Sequence, residues 1–139
     1  MDGKFELLLI EPIDTFQLII STWMKHFGCV VDIVHDEGLG LEKAIAKHYD
    51  FILIEVGEPD LYFDGFVLAT KIREQSTLNK TTTMIALTVQ RVPGSEEKAH
   101  AAGMDGYFQG TFWESTARAV YDFMKSKIPK QKNGKNGRN

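Results

Sequence analysis

The chain reads as an α/β domain, a doubly wound five-stranded parallel sheet with five helices. Two observations predict it. Short runs of consecutive apolar residues recur about every 22 residues, as buried parallel strands require. Between them lie stretches whose apolar residues fall three and four apart, the spacing of amphipathic helices. At 139 residues the chain has the length of one domain with a core of its own.

Phe5-Glu6-Leu7-Leu8-Leu9-Ile10 is the first strand. Phe16, Ile19, Ile20, Trp23, Met24 and Phe27 share one face of the first helix, with Asp14 or Thr15 as N-cap and Gly28 as its stop. Residues 29–34 make strand two, and Leu41, Ala44, Ile45 and His48 mark the buried side of helix two. Residues 51–54 are apolar on both faces, as a central parallel strand must be. Helix three is expected over 65–75, strand four over 84–88, helix four over 95–102 and strand five over 105–109. Helix five begins near Thr111 and carries Phe112, Ala117, Val120, Phe123 and Met124, which places Trp23 and Trp113 both on helices.

Composition narrows the function classes. A hydrophobic content of 43% with 25% charged residues is that of a globular domain, and no apolar run approaches the length of a membrane span. No signal-peptide pattern opens the sequence, and the single cysteine, Cys29, has no internal partner, so a cytoplasmic protein with a buried thiol is expected. Residues 1–128 carry 12 basic and 19 acidic side chains, which argues against nucleic-acid binding. Residues 129–139, with four basic residues and no acid, are expected to be a disordered basic tail outside the domain.

In such sheets ligands meet the carboxyl ends of the strands. There the sequence places Glu11-Pro12 after strand one, Glu55 after strand three, Thr88 after strand four and Gly110 after strand five. A dinucleotide site is excluded, because the first turn holds an acid and no glycine, and Gly38-Leu39-Gly40 follows the wrong strand. His26, His35, His48 and His100 lack metal-ligand spacing, and Thr88 has no base or oxyanion donors that would make it a nucleophile. Glu11 and Glu55, ending neighbouring strands, should approach one another; the alternative is two solvated loop acids.

From the first strand through helix five, roughly residues 4–127, the chain resembles response-regulator receiver domains, most of all those of hybrid sensor kinases. The segments that carry the likeness are LLLIEP, YDFILIEVGEP, Asp64-Gly65-Phe66, MIALTVQ and KAHAAGMDGYF. The resemblance implies a (βα)5, flavodoxin-like receiver fold with strand order 2-1-3-4-5, spanning 1–128. It implies two acids after strand one that hold magnesium, a phosphoaccepting aspartate after strand three, a Thr or Ser after strand four, a lysine after strand five and a switch aromatic. Here those positions hold Glu11 and Pro12, Glu55, Thr88, Gly110 and Tyr107.

Three of these depart from the pattern. Pro12 offers magnesium no ligand, Gly110 removes the cation that would face a phosphoryl group, and Glu55 carries its carboxylate roughly 1 Å farther out than aspartate, a shift that can cost about a hundredfold in rate. The expectation is a phosphorylation-independent pseudo-receiver, not an enzyme, with magnesium binding lost or very weak. It would serve as a protein-interaction module in two-component or phosphorelay signalling, its partner a histidine kinase, response regulator or other signalling protein. The alternatives are phosphoryl transfer to Glu55 or a neighbouring acid, and a small-molecule binder using the vacated cleft. Glu55 is expected to accept a hydrogen bond from Thr88, as against being solvated or paired with Arg91. Leu61, Tyr62 and Phe63, in a loop longer than usual, either pack over the site or meet a partner. Trp113 and Tyr121 are candidates for an interaction face of helix four, strand five and helix five, through which a homodimer would also form. The N-terminal Met and the tail favour a stand-alone protein over an excised kinase domain. Deleting residues 130–139 should leave the melting temperature within a few degrees of the full chain by differential scanning fluorimetry, because that tail has no apolar side chain to bury.

Overall fold

The computed structural model of the chain describes residues 4–57, 63–90 and 92–128. Along them run β1 (Glu6–Ile10), α1 (Asp14–His26), β2 (Val30–Val34), α2 (Glu37–Ala46), β3 (Phe51–Glu55), α3 (Gly65–Gln75), β4 (Thr83–Thr88), α4 (Ser95–Ala101), β5 (Gly106–Gln109) and α5 (Glu114–Lys127). The strands pair in parallel in the order β2-β1-β3-β4-β5, so the expected alternation and strand order both hold. The tail assigned to residues 129–139 lies outside the described residues.

The strands divide their side chains between two cores. Leu8, Ile10, Ile52 and Ile54 point to the face covered by Leu68, Ala69 and Ile72 of α3 and Ala99 of α4. Leu7, Leu9, Phe51 and Leu53 point to the other, under Ile20 and Met24 of α1 and Ala117, Val120 and Met124 of α5. This two-sided burial is why β1 and β3 are apolar at successive residues instead of alternating. Cys29 is buried at the edge of the second core, where burial pushes its thiol up to about 11 and leaves it a small apolar filler.

The helix ends explain the boundaries. Asp64 caps α3 by accepting the Phe66 and Val67 N–H groups, and Asp36 caps α2 by accepting that of Leu39. Gly28 and Gly103, with φ of 95° and 93°, follow α1 and α4 in the left-handed conformation that closes a helix. On α1 neither Asp14 nor Thr15 is the cap. Ile13 holds that position without a side-chain bond, and the turn is secured from β1 instead. Ile45 and His48, expected on the buried side of α2, are exposed, because the helix ends at Ala46 and only Gly40, Leu41 and Ala44 face α3 and β1. Helix five begins at Glu114, three residues later than expected, with Trp113 as its N-cap residue.

Two polar side chains join segments far apart in sequence. Arg73 of α3 donates to the carbonyls of Asn79, Lys80, Thr82 and Gly103 and to Asp105, tying α3 to both ends of the β4–β5 unit. Asn79, fully buried, donates to the Ala44 and Lys47 carbonyls and accepts from the Tyr49 N–H and the Thr82 hydroxyl.

Gly65 opens α3 against the end of β3. A Cβ there would fall on the Glu55 carbonyl oxygen and within 2.9 Å of Val56 Cγ1. Backbone cannot yield as a flexible side chain does. Gly65→Ala is therefore expected to cost at least about 1–3 kcal/mol, read as a lower urea midpoint with an unchanged m-value.

Candidate functional site

Parallel pairing of β1 with β3 sets Ile10 beside Ile54, and each strand is followed or closed by its acid, Glu11 and Glu55. The two carboxyls approach closely enough for each to shift the titration of the other. Glu11 is only 1% exposed, so the alternative of two solvated loop acids is wrong. Its Oε2 accepts the Ile13 N–H at 3.0 Å, while Oε1 receives no N–H or O–H donor. Its main-chain oxygen accepts the Gln17 side-chain amide at 2.7 Å, so the same residue anchors the first turn of α1. Glu55 is half-buried, and its Oε2 accepts the Gly57 N–H at 2.6 Å.

Burial pushes the Glu11 carboxyl up to about 8; the Ile13 N–H opposes this, and the neighbouring Glu55 charge and hydrogen bond add to it. Burial also raises Glu55, with the Gly57 N–H and the Glu11 hydrogen bond working the other way. Near neutral pH Glu11 therefore keeps its proton beside the Glu55 carboxyl. The pair titrates as a unit and carries one negative charge.

Thr88 ends β4 beside this pair, 2% exposed. Its hydroxyl donates to the Gln90 carbonyl at 2.9 Å and accepts the Gln90 N–H at 3.2 Å. The expected Thr88–Glu55 hydrogen bond is not formed: the hydroxyl turns into its own loop, and Glu55 is satisfied by Gly57 and Glu11. Arg91, the other partner considered for Glu55, lies outside the described residues. Gly57 was not foreseen, yet a Cβ there would collide with Glu55 Oε2 and come within 3.4 Å of Thr88 Oγ1. A glycine two residues past the acid was the available signal.

Gly110 has φ of 128°, a conformation that residues with a Cβ rarely adopt, and its N–H continues the sheet by donating to the Thr88 carbonyl. The position is thus a backbone requirement as well as a lost cation. Tyr107 on β5 is half-buried and packs on the α3–α4 core.

Two cavities open at this end of the sheet. One, of about 130 Å³, lies between α1 and the β5–α5 connection, lined by Phe16, Ile19, Ile20, Phe112 and Trp113 with Glu11, Glu55, Thr88 and Gly110. The other is lined by Pro12, Ile13, Val56, Gly57 and Phe63. Phe16, Glu55 and Val89 line both. Among the described residues no Lys, Arg or His lines either one.

The residues named for an interaction face have different surroundings. Trp113 is 63% exposed and sits at the rim of the first cavity, as the N-cap residue of α5 and not within the helix. Tyr121 is half-buried and stacks on Phe27 at the end of α1, with ring centroids 4.8 Å apart. The side of α5 towards β5 is held by Phe123, packed on Phe108. Phe63 is 7% exposed, part of the α3–α4 core and of the wall of the second cavity beside Glu55, so of the two expectations for it, packing over the site is the one that holds. Leu61 and Tyr62 lie outside the described residues.

The sensor protein EvgS of Escherichia coli K12 is 29% identical over 102 residues, which are 73% of this chain and 8% of that protein. The response regulator ArlR of Staphylococcus saprophyticus is 30% identical over 100 residues, 72% of this chain and 41% of ArlR. The chain therefore spans less than half the length of these relatives. No family model matches it. Among solved structures, the receiver domain of the sensor histidine kinase PA1611 of Pseudomonas aeruginosa aligns over 88% of this chain and 96% of its own, with 25% identity and a TM-score of 0.75. The chain belongs to the response-regulator receiver domains. The chemotaxis protein CheY4 of Vibrio cholerae, 21% identical with a TM-score of 0.75 over 87% of this chain and 98% of its own, shares the receiver fold. The PA1611 receiver carries a magnesium ion in its active-site cleft. In this receiver the corresponding end of the sheet carries Glu11, Pro12 and Glu55.

The raised Glu11 carboxyl has a consequence for stability. The folded state keeps a proton that the unfolded chain loses above about 4.5, so folding stability falls as pH rises from about 4.5 to about 8 and then levels off. Glu11→Gln should flatten that decline and gain on the order of a few kcal/mol at pH 8 relative to the native chain, measured by urea denaturation across the pH range.

Proposed function

We propose that this receiver acts without phosphorylation, as a protein-interaction module in a two-component or phosphorelay pathway, and catalyses no reaction of its own. The observation that carries this reading is the buried Glu11–Glu55 pair, each carboxyl held by a backbone N–H of its own loop. A phosphoacceptor must present a free carboxylate to the donor, and Glu55 instead is tied to Gly57 and Glu11. Nor is there a described cation in the cavity lining to stabilise a transferring phosphoryl group.

Magnesium, which receiver chemistry implies, takes near-octahedral oxygen ligands at about 2.0–2.1 Å. Among the described residues no three acidic, histidine or cysteine side chains gather to hold a metal ion. Glu11 and Glu55 spend oxygens on backbone N–H groups, and Pro12 brings no ligand. This donor set does not fit the ion.

Partner binding would use the rim of the site, where Ile13, Val89 and Trp113 leave 50%, 36% and 63% of their surface in water. Large apolar side chains around a charged floor suit a signalling protein such as a histidine kinase or another response regulator.

Incubation with acetyl phosphate and millimolar magnesium should leave the intact mass unchanged, and calorimetry should show no magnesium heat. A stoichiometric gain of one phosphoryl group, released by hydroxylamine, would overturn the reading. Pro12→Asp with Glu55→Asp should restore partial labelling. Adding Gly110→Lys should cost stability, because it places a side chain at positive φ.

A further inference from the structure

The cavity between α1 and the β5–α5 connection joins two features that normally exclude one another. Its walls are apolar, from Phe16, Ile19, Ile20, Val89 and Phe112, and its floor holds the Glu11–Glu55 pair. Glu11 is 99% buried by its 1% exposure, and its Oε1 has no N–H or O–H donor. A buried anion without a counter-charge is unfavourable, and among the described residues none of the cations lines the cavity. The volume, about 130 Å³, is close to the ~150 Å³ of an engineered apolar cavity that takes up benzene. There is room for one ring or a short branched chain.

We propose that this cavity is a binding site for a small organic amine, its ammonium or amidinium head on the Glu11–Glu55 carboxyls and its aromatic or aliphatic body among Phe16, Ile20 and Phe112. The head meets the negative charge that the pair carries, which no Lys, Arg or His among the described residues of the cavity lining faces. The body covers apolar wall that a hydrated metal ion would leave in contact with water. The exposed Trp113 indole at the rim can close over the cation through its ring face. The proposal goes beyond the phosphorylation-independent reading and is tested apart from it, with no phosphodonor or magnesium present.

Benzylamine and benzamidine are the probes, titrated into the full ¹⁵N-labelled chain and followed by amide shifts and Trp113 fluorescence. Saturable binding in the millimolar range or tighter is expected, with the largest shifts at Gly110, Thr111, Phe112 and the Trp113 indole. Benzyl alcohol and toluene, of the same shape without the charge, should bind at least tenfold more weakly. Glu55→Gln, which removes the negative charge of the pair, should lose at least tenfold in benzylamine affinity, and Ile19→Trp, a half-buried position on the cavity wall, should block binding by filling it. Absence of saturation overturns the proposal. So does equal affinity for benzyl alcohol, or unchanged affinity in both folded variants. None of these outcomes alters the mass measurement that tests phosphorylation.

Discussion

Everything at the functional end of this receiver depends on burying β1 and β3 side by side. Each is covered on both faces, so its buried residues, Leu7–Ile10 and Phe51–Ile54, are apolar without a break. A one-residue slip would exchange the side chains facing the two cores and send Leu8 and Ile10 to the wrong helices. The register is therefore held firmly, and with it the meeting of Glu11 and Glu55 just past the last buried pair, Ile10 and Ile54. Two acids arrive together because hydrophobic packing puts them there.

Their chemistry then follows from what surrounds them. The Ile13 and Gly57 N–H groups supply one hydrogen bond to each carboxyl, which is too little to hold two charges out of water. One proton resolves the conflict at far lower cost than burying a second anion. The loops are built around this solution. Gly57 leaves space for the Glu55 side chain to fold back on its own backbone, Thr88 turns away to close its own loop, and Gly110 takes a backbone conformation in which a lysine would be strained. In a receiver that holds magnesium, such as that of PA1611, the ion is itself the largest positive charge in the cleft.

Apolar side chains near the site have separate destinations. Phe63 is drawn into the α3–α4 core and Tyr121 onto Phe27, both by neighbours on other elements. Trp113, one residue before α5, has no such neighbour and stays at the cavity rim. Similar residue types thus meet different fates, decided by the elements that pack beside them and not by hydropathy.

The sequence by itself determined the five βα units, because strand burial and helical spacing are local patterns, and its resemblance to receiver domains implied their order in the sheet and with it the proximity of Glu11 to Glu55. It also exposed the missing acid at Pro12 and the missing lysine at Gly110, since these are matters of residue identity. Helix ends were less legible. Ile45 and His48 kept the right spacing for α2 after the helix had already stopped, and α1 is anchored by Glu11 in place of a side-chain cap. Only the tertiary structure decided which partner each polar atom takes and which aromatics remain in water. The Thr88 hydroxyl has two acceptors within reach of its loop, and no pattern in the chain distinguishes them. Hydrogen-bond choice, burial and the resulting proton on Glu11 depend on distances between segments tens of residues apart, and those distances exist only once the sheet is assembled.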